Sequence, residues 1–183
     1  MRYFRKIAQG IDTLPILLEL DRAHHLWNAE AGRKTFSGTP HAAMTDIWVR
    51  FRSKHEIVGA VSHKEEHRNV YWPAWRELPS LRPLVSALKT RVDAVELGTI
   101  LITRLPPGEA ILPHDDKGSW TAEFYNCKVH VTLQGQSLSR CRDETVIMVA
   151  GDAWTFDNLL DHDVRNNGEI DRIVCIVAMR VET

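Results

Sequence analysis

ELGTILITRL (residues 96–105) opens the stretch of sequence that decides the fold. From here short β-like runs follow one another, separated by Pro-Pro-Gly, Gly-Gln, Gly-Asp and Asn-Asn-Gly, which are typical of turns. The later runs are KVHVTLQ (128–134), ETVIMV (144–149), AWTF (153–156) and RIVCIVAMRV (172–181). Several short strands at this spacing predict a β-sandwich or a small barrel.

Two amphipathic helices are predicted ahead of these strands. The first begins at Thr13, a candidate N-cap, and runs to about Asn28 with mostly apolar residues at helical spacing. The second is SLRPLVSALKTRVDAV (80–95), which has the same apolar spacing and an early proline. Between the helices, DIWVRF (46–51) alternates as a strand does. We expect the helices to pack on the sheet.

The chain is 183 residues long, about the size of one domain that can bury roughly 70% of its unfolded surface. Residues 31–44 are rich in Gly, Ser, Thr and Pro and are predicted as loop, while residues 63–79 show no clear period and are predicted as irregular. We therefore expect one domain over residues 1–183. Within it, residues 1–93 form a helical and loop-rich part and residues 94–183 form the β core.

Composition limits the partners and the compartment. Lys and Arg number 23 against 24 Asp and Glu, so a formal charge of −1 disfavours nucleic acid and acidic membranes as partners. No apolar run approaches the roughly 18 residues of a membrane span, and no signal peptide is recognised. The cysteines are odd in number and form no CxxC pair, which disfavours disulfides and a cysteine zinc site. We expect a cytoplasmic protein; the oligomeric state stays open.

A dispersed polar set in the second half has the pattern of a non-haem iron site. His114-Asp115-Asp116 follows the turn-forming segment LPPGEAILP, and His162 lies just past the strand AWTF. An HxD triplet alone often arises by chance. Here, however, both groups fall at strand edges, which a barrel brings together around its mouth. Two histidines and one carboxylate bind Fe(II) and leave positions open.

Two features suggest an anionic cosubstrate beside such a metal. Arg172 begins an apolar strand, where a guanidinium is costly unless a carboxylate such as that of 2-oxoglutarate meets it. In the strand CKVHVTL, Lys128, His130 and Thr132 share one face, and the apolar residues share the other. A polar inward face would suit a small anion. The alternative is a polar face exposed to solvent.

At these residues the chain resembles the aspartyl/asparaginyl β-hydroxylase family of Fe(II)/2-oxoglutarate oxygenases, over about residues 95–180. LPPGEAILPHDD (105–116) resembles the family's proline-glycine turn that leads to the first iron histidine. NCKVHVTL (126–133) resembles its basic-x-His strand. GDAWTFDNLLDHDVRNN (151–167) followed by DRIVCIV (171–177) resembles its Gly-to-Phe-Asp turn, second iron histidine and terminal arginine.

The resemblance implies a fold and a site. The fold is mainly β with flanking α: a double-stranded β-helix (jelly-roll, cupin-like) barrel with N-terminal helices packed on it. Dioxygen would take a remaining position on the iron. The implied catalytic residues, which are the iron ligands, are His114, Asp116 and His162. The implied 2-oxoglutarate contacts are Arg172, His130, Lys128 and Thr103, the last lying eleven positions before the first histidine.

The sequence departs from the family's pattern at three places. Lys128 replaces an arginine and offers a point charge in place of a planar fork. The insert KGSWTAEFY (117–125) lengthens the loop after the first histidine. Asp116 supplies a carboxylate that the animal branch of the family lacks, which disfavours a halogenase. Asp115 is the alternative ligand, although the HxD spacing favours its neighbour.

The implied activity is hydroxylation of an unactivated carbon with release of succinate and CO2. The substrate would be an amino acid or an Asp/Asn-type residue in a peptide, free or bound to a carrier. Two alternatives remain: a non-catalytic cupin-like module that binds a metal or ligand, and a zinc-dependent hydrolase that uses the same ligands. Five residues of the N-terminal part are substrate candidates that stay outside the predicted site: Trp27, Asn28, His41, Trp48 and Arg50.

Overall fold

The computed structural model describes residues 1–30, 33, 39–58 and 64–182. Across these residues the strands are β1 (Phe4–Ala8), β2 (Thr45–Arg52), β3 (Asn69–Tyr71), β4 (Ala94–Leu105), β5 (Ala110–His114), β6 (Cys127–Gln134), β7 (Gln136–Cys141), β8 (Glu144–Val149), β9 (Ala153–Phe156), β10 (His162–Arg165) and β11 (Arg172–Val181). The helices are α1 (Leu14–Arg22), a 3₁₀ turn (His24–Leu26), α2 (Lys54–Val58), α3 (Ala74–Glu77), α4 (Leu81–Arg91) and α5 (Trp120–Phe124).

The described strands form two antiparallel sheets. The major sheet has the order β1-β9-β6-β11-β4-β2-β3, and the minor sheet has the order β5-β10-β7-β8. Strands that are distant in sequence are therefore neighbours, as when β11 lies between β6 and β4. Two stacked antiparallel sheets with helices on one of them are the predicted jelly-roll architecture. The fold class is confirmed.

The outer face of the major sheet packs against α1 and α4. Successive side chains of a strand point to opposite sides, so every second residue of β6 and β11 faces these helices. Burying each large aliphatic side chain in this layer stabilises the fold by roughly 1.5–3 kcal/mol. The sheet contributes Val129, Val131, Leu133, Cys175 and Val177, and the helices contribute Ile16, Leu20, Leu81, Val85 and Leu88.

The inner face of the major sheet carries polar residues between the two sheets. Val174 pairs with Thr103 on one side and with Thr132 on the other, and residues paired across strands share a face. His130 and Arg172 each lie two residues before a member of this row, so they share it too. The polar face predicted from CKVHVTL is thus the inner one. Beside it, two apolar clusters join the sheets: Phe4, Cys141, Met148, Trp154 and Phe156; and Met44, Leu105, Ile111 and Val164.

Five strands were absent from the sequence-based prediction. β1 and β3 are short and charged or exposed, and they are ordered by pairing with β9 and β2 at the two edges of the major sheet. They show that residues 1–93 contribute strands as well as helices and loops. β5 contains Pro113, and β10 has the four residues HDVR, so neither shows clear alternation. β7 alternates, with buried serines facing inward.

The helices begin near the predicted positions but without the predicted N-cap. Thr13 makes no side-chain cap and donates its hydroxyl to the Leu133 carbonyl at 2.9 Å, which ties α1 to the sheet. α1 ends at Arg22, before the predicted Asn28, and a 3₁₀ turn follows.

The segment 63–79, which was predicted as irregular, contains β3 and α3. Its residue 63 lies outside the described residues, as do 31, 32 and 34–38 of the predicted loop. In the described part of the chain, no helix combines the length and apolar composition that crossing a bilayer requires.

Candidate functional site

The minor sheet brings the two predicted metal histidines together. His162 on β10 pairs directly with His114 at the end of β5, and their ring centroids lie 4.3 Å apart. Nδ1 of His114 donates to the Leu112 carbonyl at 2.7 Å, and Nδ1 of His162 donates to the Leu160 carbonyl at 2.8 Å. A carbonyl can only accept, so the proton resides on Nδ1 and Nε2 keeps its lone pair for a metal.

Asp116 completes this cluster from the turn after β5. Its Oδ1 lies 3.8 Å from Nε2 of His114, and one ligand atom from each of His114, Asp116 and His162 lies within 4.8 Å of the others. Asp115 is exposed, and its Oδ1 accepts the backbone N–H of Lys117 at 3.1 Å. The structure therefore brings Asp116, rather than Asp115, to the histidines. We call these three residues the metal cluster.

The Asp116 carboxylate is held by two side chains on its other oxygen. Oδ2 accepts a hydrogen bond from the amide of Asn158 at 2.8 Å and a short one from the ammonium of Lys128. Burial alone would raise the pKa of Asp116, but the Lys128 charge and these two hydrogen bonds bring it well below its ordinary value. The carboxylate is thus ionised and anchored. Lys128, which the resemblance places on the cosubstrate, contacts Asp116 in this structure.

A second polar group lies on the inner face of the major sheet. We call Thr103, His130, Thr132 and Arg172 the inner polar group. Each has a buried polar atom without a hydrogen-bond partner among the described residues: the hydroxyls of both threonines, Nε2 of His130 and Nε of Arg172. Such atoms are rare in folded proteins because leaving one unpaired costs about 1–3 kcal/mol.

Arg172 is the member of this group that is most costly to bury. It is 1% exposed, and no carboxylate in the described part of the chain forms an ion pair with it. Burial lowers its pKa to about 10, so the guanidinium still carries its charge at neutral pH. A buried cation without a counter-charge fits an anionic ligand that enters from outside.

His130 connects the inner polar group to the metal cluster. Its ring lies 5.0 Å from that of Phe156, which in turn lies 5.1 Å from that of His162. Burial, and then the charges of Lys128 and Arg172, bring the pKa of His130 well below its ordinary value. Burial also lowers the pKa of His162. Both rings are therefore neutral, which suits a metal ligand and a hydrogen-bonding neighbour.

The donor atoms fit the groups that the sequence predicts. Two imidazole nitrogens and one carboxylate oxygen form a set that binds Fe(II), among other first-row metals. The guanidinium and the threonine hydroxyls beside this set, which lack partners in the described part of the chain, fit a carboxylate-bearing molecule. Of the seven predicted site residues, three form the metal cluster, three lie in the inner polar group, and Lys128 contacts Asp116. Their predicted roles stay predictions.

Among the N-terminal substrate candidates, His41 contacts the metal cluster. Its ring meets that of His114 edge to face at 5.1 Å, and its Nε2 accepts from a guanidinium nitrogen of Arg33 at 3.4 Å. Burial, and then the charges of Arg33 and His114, lower its pKa to about 3. The neutral ring keeps a proton on Nδ1, which has no partner among the described residues. This residue was left out of the predicted site.

The other four candidates have structural contacts. Arg50 donates to the carbonyl of Gly98 at 2.6 Å, and Trp48 packs on Phe51 and Trp72. Trp27 lies under the guanidinium of Arg104, and Asn28 accepts the backbone N–H of Asp46.

One polar residue of the site escaped prediction, and a second was predicted on the polar face without a role in the site. Asn158 holds Asp116, and its only sequence signal is the Phe-Asp-Asn turn four positions before His162. Thr132 lies on the polar face of β6, where the alternation does flag it.

Comparisons with known proteins concern the family and the fold of this chain. A model of the family described as aspartyl/asparaginyl beta-hydroxylase matches residues 59–181. A solved oxidoreductase of the 2OG-Fe(II) oxygenase family from Burkholderia pseudomallei is 13% identical and covers 74% of this chain and 66% of its own, with a TM-score of 0.51. A cupin superfamily protein from Desulfitobacterium hafniense is 13% identical over 45% of this chain and 67% of its own, with a TM-score of 0.36. Comparison with curated proteins finds no match.

These comparisons have different weights. The family match covers both histidines, Asp116 and the inner polar group, and it confirms the resemblance seen in the sequence. The Burkholderia structure supports the fold alone at 13% identity, and the chain spans 66% of that protein's length.

Proposed function

The chain belongs to the aspartyl/asparaginyl β-hydroxylase family, and from this premise we propose that it is an Fe(II)- and 2-oxoglutarate-dependent dioxygenase. It hydroxylates an unactivated carbon of an amino acid or of an Asp/Asn-type residue in a peptide, and releases succinate and CO2. The observation that carries this proposal is the buried Arg172, which has no ion-pair partner among the described residues and lies beside a His-Asp-His cluster. Neither a structural metal site nor a hydrolase needs that cation.

His114, Asp116 and His162 would hold the iron. The backbone carbonyls of Leu112 and Leu160 fix both rings with Nε2 available, so the histidines need little reorganisation on binding. Three protein ligands leave positions for the cosubstrate and dioxygen. Bound iron together with 2-oxoglutarate supplies the dioxygen activation that an unactivated C–H bond requires.

Arg172 and Thr103 would bind the far carboxylate of 2-oxoglutarate. The guanidinium donates to carboxylate oxygens, ideally in a bidentate pair, and the hydroxyl adds one hydrogen bond. His130 and Thr132 lie beside them on the inner face of β6. These side chains orient the cosubstrate toward the metal cluster, and their burial excludes water from it.

The proposed setting is a reducing compartment such as the cytoplasm, because the three cysteines are buried and free. We also infer that residues 1–183 act as one catalytic domain, since strands from residues 1–93 complete the sheet that carries the inner polar group.

The test uses the full chain without oxygen. Adding Fe(II) and 2-oxoglutarate is expected to give a visible charge-transfer band that His114→Ala abolishes. In air, a panel of amino acids and peptides is then screened for stimulated succinate formation. A wild-type protein without the band and without succinate would be a binding module. Hydrolytic activity with zinc alone would make the protein a hydrolase.

A further inference from the structure

The carboxylate of Asp116 is asymmetric in its contacts. Oδ2 accepts from Lys128 and from Asn158, while Oδ1 is the oxygen that lies 3.8 Å from Nε2 of His114. One oxygen is thus occupied by the protein, and the other faces the histidines. A metal ion in the cluster would meet Oδ1, with Oδ2 turned toward the two donors.

Asn158 holds Asp116 at two points. Its side-chain amide donates to Oδ2 at 2.8 Å, and its backbone carbonyl accepts the backbone N–H of Asp116 at 3.0 Å. Asn158 is itself 4% exposed and lies on the turn that leads into β10. The amide is neutral, so it fixes the rotation of the carboxylate without opposing a metal's charge. Losing such a contact typically costs 10–100-fold in metal affinity.

Lys128 donates to the same oxygen but carries a positive charge, which opposes the charge of a metal ion. Its ammonium and a metal ion on Oδ1 would share one carboxylate, and two cations on one carboxylate repel each other. With Lys128 in place, the metal cluster has a formal charge of zero when both histidines are neutral. Without it the charge is −1, which attracts a divalent cation more strongly.

We propose that Asn158 and Lys128 are positioning residues that act on the metal through Oδ2 of Asp116, with opposite effects on metal affinity. The proposal rests on the proposed function of the cluster. It also removes Lys128 from the cosubstrate contacts, since the lysine that replaces the family's arginine is engaged by the aspartate that the animal branch lacks. Among the side chains of the protein, only those of the inner polar group would then contact 2-oxoglutarate.

The test measures Mn²⁺ binding to the full-length protein by calorimetry. Asn158→Leu is expected to weaken Mn²⁺ binding by about 10–100-fold. Lys128→Met is expected to tighten it by about tenfold, whereas Lys128→Arg keeps the wild-type affinity. The matched controls are Asn167→Leu and Lys54→Met, which remove the same groups at exposed positions and leave Mn²⁺ affinity unchanged. Thermal unfolding of the metal-free variants shows that each one folds.

A second titration separates the metal from the cosubstrate. At saturating Mn²⁺, the 2-oxoglutarate affinity of Lys128→Met is expected to equal that of wild type. A tenfold loss there, with Mn²⁺ affinity unchanged, would make Lys128 a cosubstrate ligand and overturn the proposal. If Asn158→Leu and Lys128→Met change the Mn²⁺ affinity in the same direction, the two residues do not have opposite effects and the proposal fails. If wild type itself binds no Mn²⁺ or Fe(II), the proposed function fails together with this inference.

Discussion

The metal cluster and the inner polar group differ in how the protein satisfies their polar atoms. In the metal cluster, Nδ1 of each histidine and the far oxygen of Asp116 already have partners within the chain. In the inner polar group, Arg172 and both threonine hydroxyls have none among the described residues. The first region is therefore organised before any ligand arrives, whereas the second is strained until an anion enters. The substitutions below separate these two conditions.

His162→Ala tests the metal cluster with the largest expected effect. Without one of its three ligands the metal would bind more weakly and would not be held in position. Succinate formation should therefore fall at least about 10³-fold, which corresponds to an increase of roughly 4 kcal/mol in the activation free energy. Coupled turnover assays at saturating Fe(II) measure this. His25→Ala, at an exposed position, is the control and should keep wild-type activity. Retained turnover in His162→Ala would remove the cluster from the reaction.

Arg172→Met should have opposite effects on binding and on stability. Losing the guanidinium leaves a carboxylate of 2-oxoglutarate unpaired, so its binding should weaken by about 2–5 kcal/mol. The ligand-free protein should become more stable by about 1–4 kcal/mol, because a buried and unpaired charge has been replaced by an apolar side chain of similar length. Urea unfolding and calorimetric titration measure the two effects.

The control for this substitution is Arg165→Met, which removes an exposed arginine from β10. It should change neither quantity. If Arg172→Met lowers the stability of the ligand-free protein, Arg172 has a partner within the chain and the contrast between the two regions is lost.

Thr103→Val sharpens the same contrast with a smaller change. The substitution keeps the shape of the side chain and removes a hydroxyl that has no partner among the described residues. 2-Oxoglutarate binding should weaken by about 0.5–1.5 kcal/mol, while the ligand-free protein should be equally or more stable. Thr145→Val on the exposed side of β8 serves as the control. Loss of stability without loss of binding would assign Thr103 to the scaffold.

Much of this site was predictable because its residues lie in locally patterned sequence. The alternation of β6 marked Lys128 and His130 as one face, and the apolar run of β11 made Arg172 conspicuous. The turns before His114 and after AWTF placed both histidines at strand ends. These signals are local, so they can be recognised in the sequence without knowledge of the tertiary structure.

The remaining features depend on contacts between distant residues. β5 and β10 carry the two metal histidines, yet Pro113 and the run Asp161-His162-Asp163 hide their strand character, which arises from pairing with each other. The Lys128–Asp116 contact joins β6 to the turn after β5 and has no sequence signal of its own. The same holds for His41, which the fold brings to His114 from the other half of the chain.

His41, which contacts the metal cluster, differs from the cluster because its Nδ1 has no partner among the described residues. Its lowered pKa predicts a small dependence of folding stability on pH. Burial, and then the charges of Arg33 and His114, lower its pKa from 6.5 to about 3 in the folded state. Below pH 6.5 the unfolded chain takes up a proton that the folded chain refuses, so stability falls as the pH drops from 6.5 toward 3. His41→Phe removes this linkage. When the pH falls from 7.5 to 5, the free energy of unfolding of His41→Phe should therefore decrease by about 0.5–1 kcal/mol less than that of wild type. This figure allows for the partial solvent contact of His41.

Urea midpoints of the ligand-free protein at the two pH values measure this difference. His55→Phe, at an exposed position on α2, is the control and should lose as much stability between the two pH values as wild type does. An equal loss of stability with acid in His41→Phe and wild type would mean that His41 takes up its proton in the folded protein. Nδ1 of His41, which has no partner among the described residues, would then be in contact with water, and His41 would not belong to the preorganised surroundings of the metal cluster.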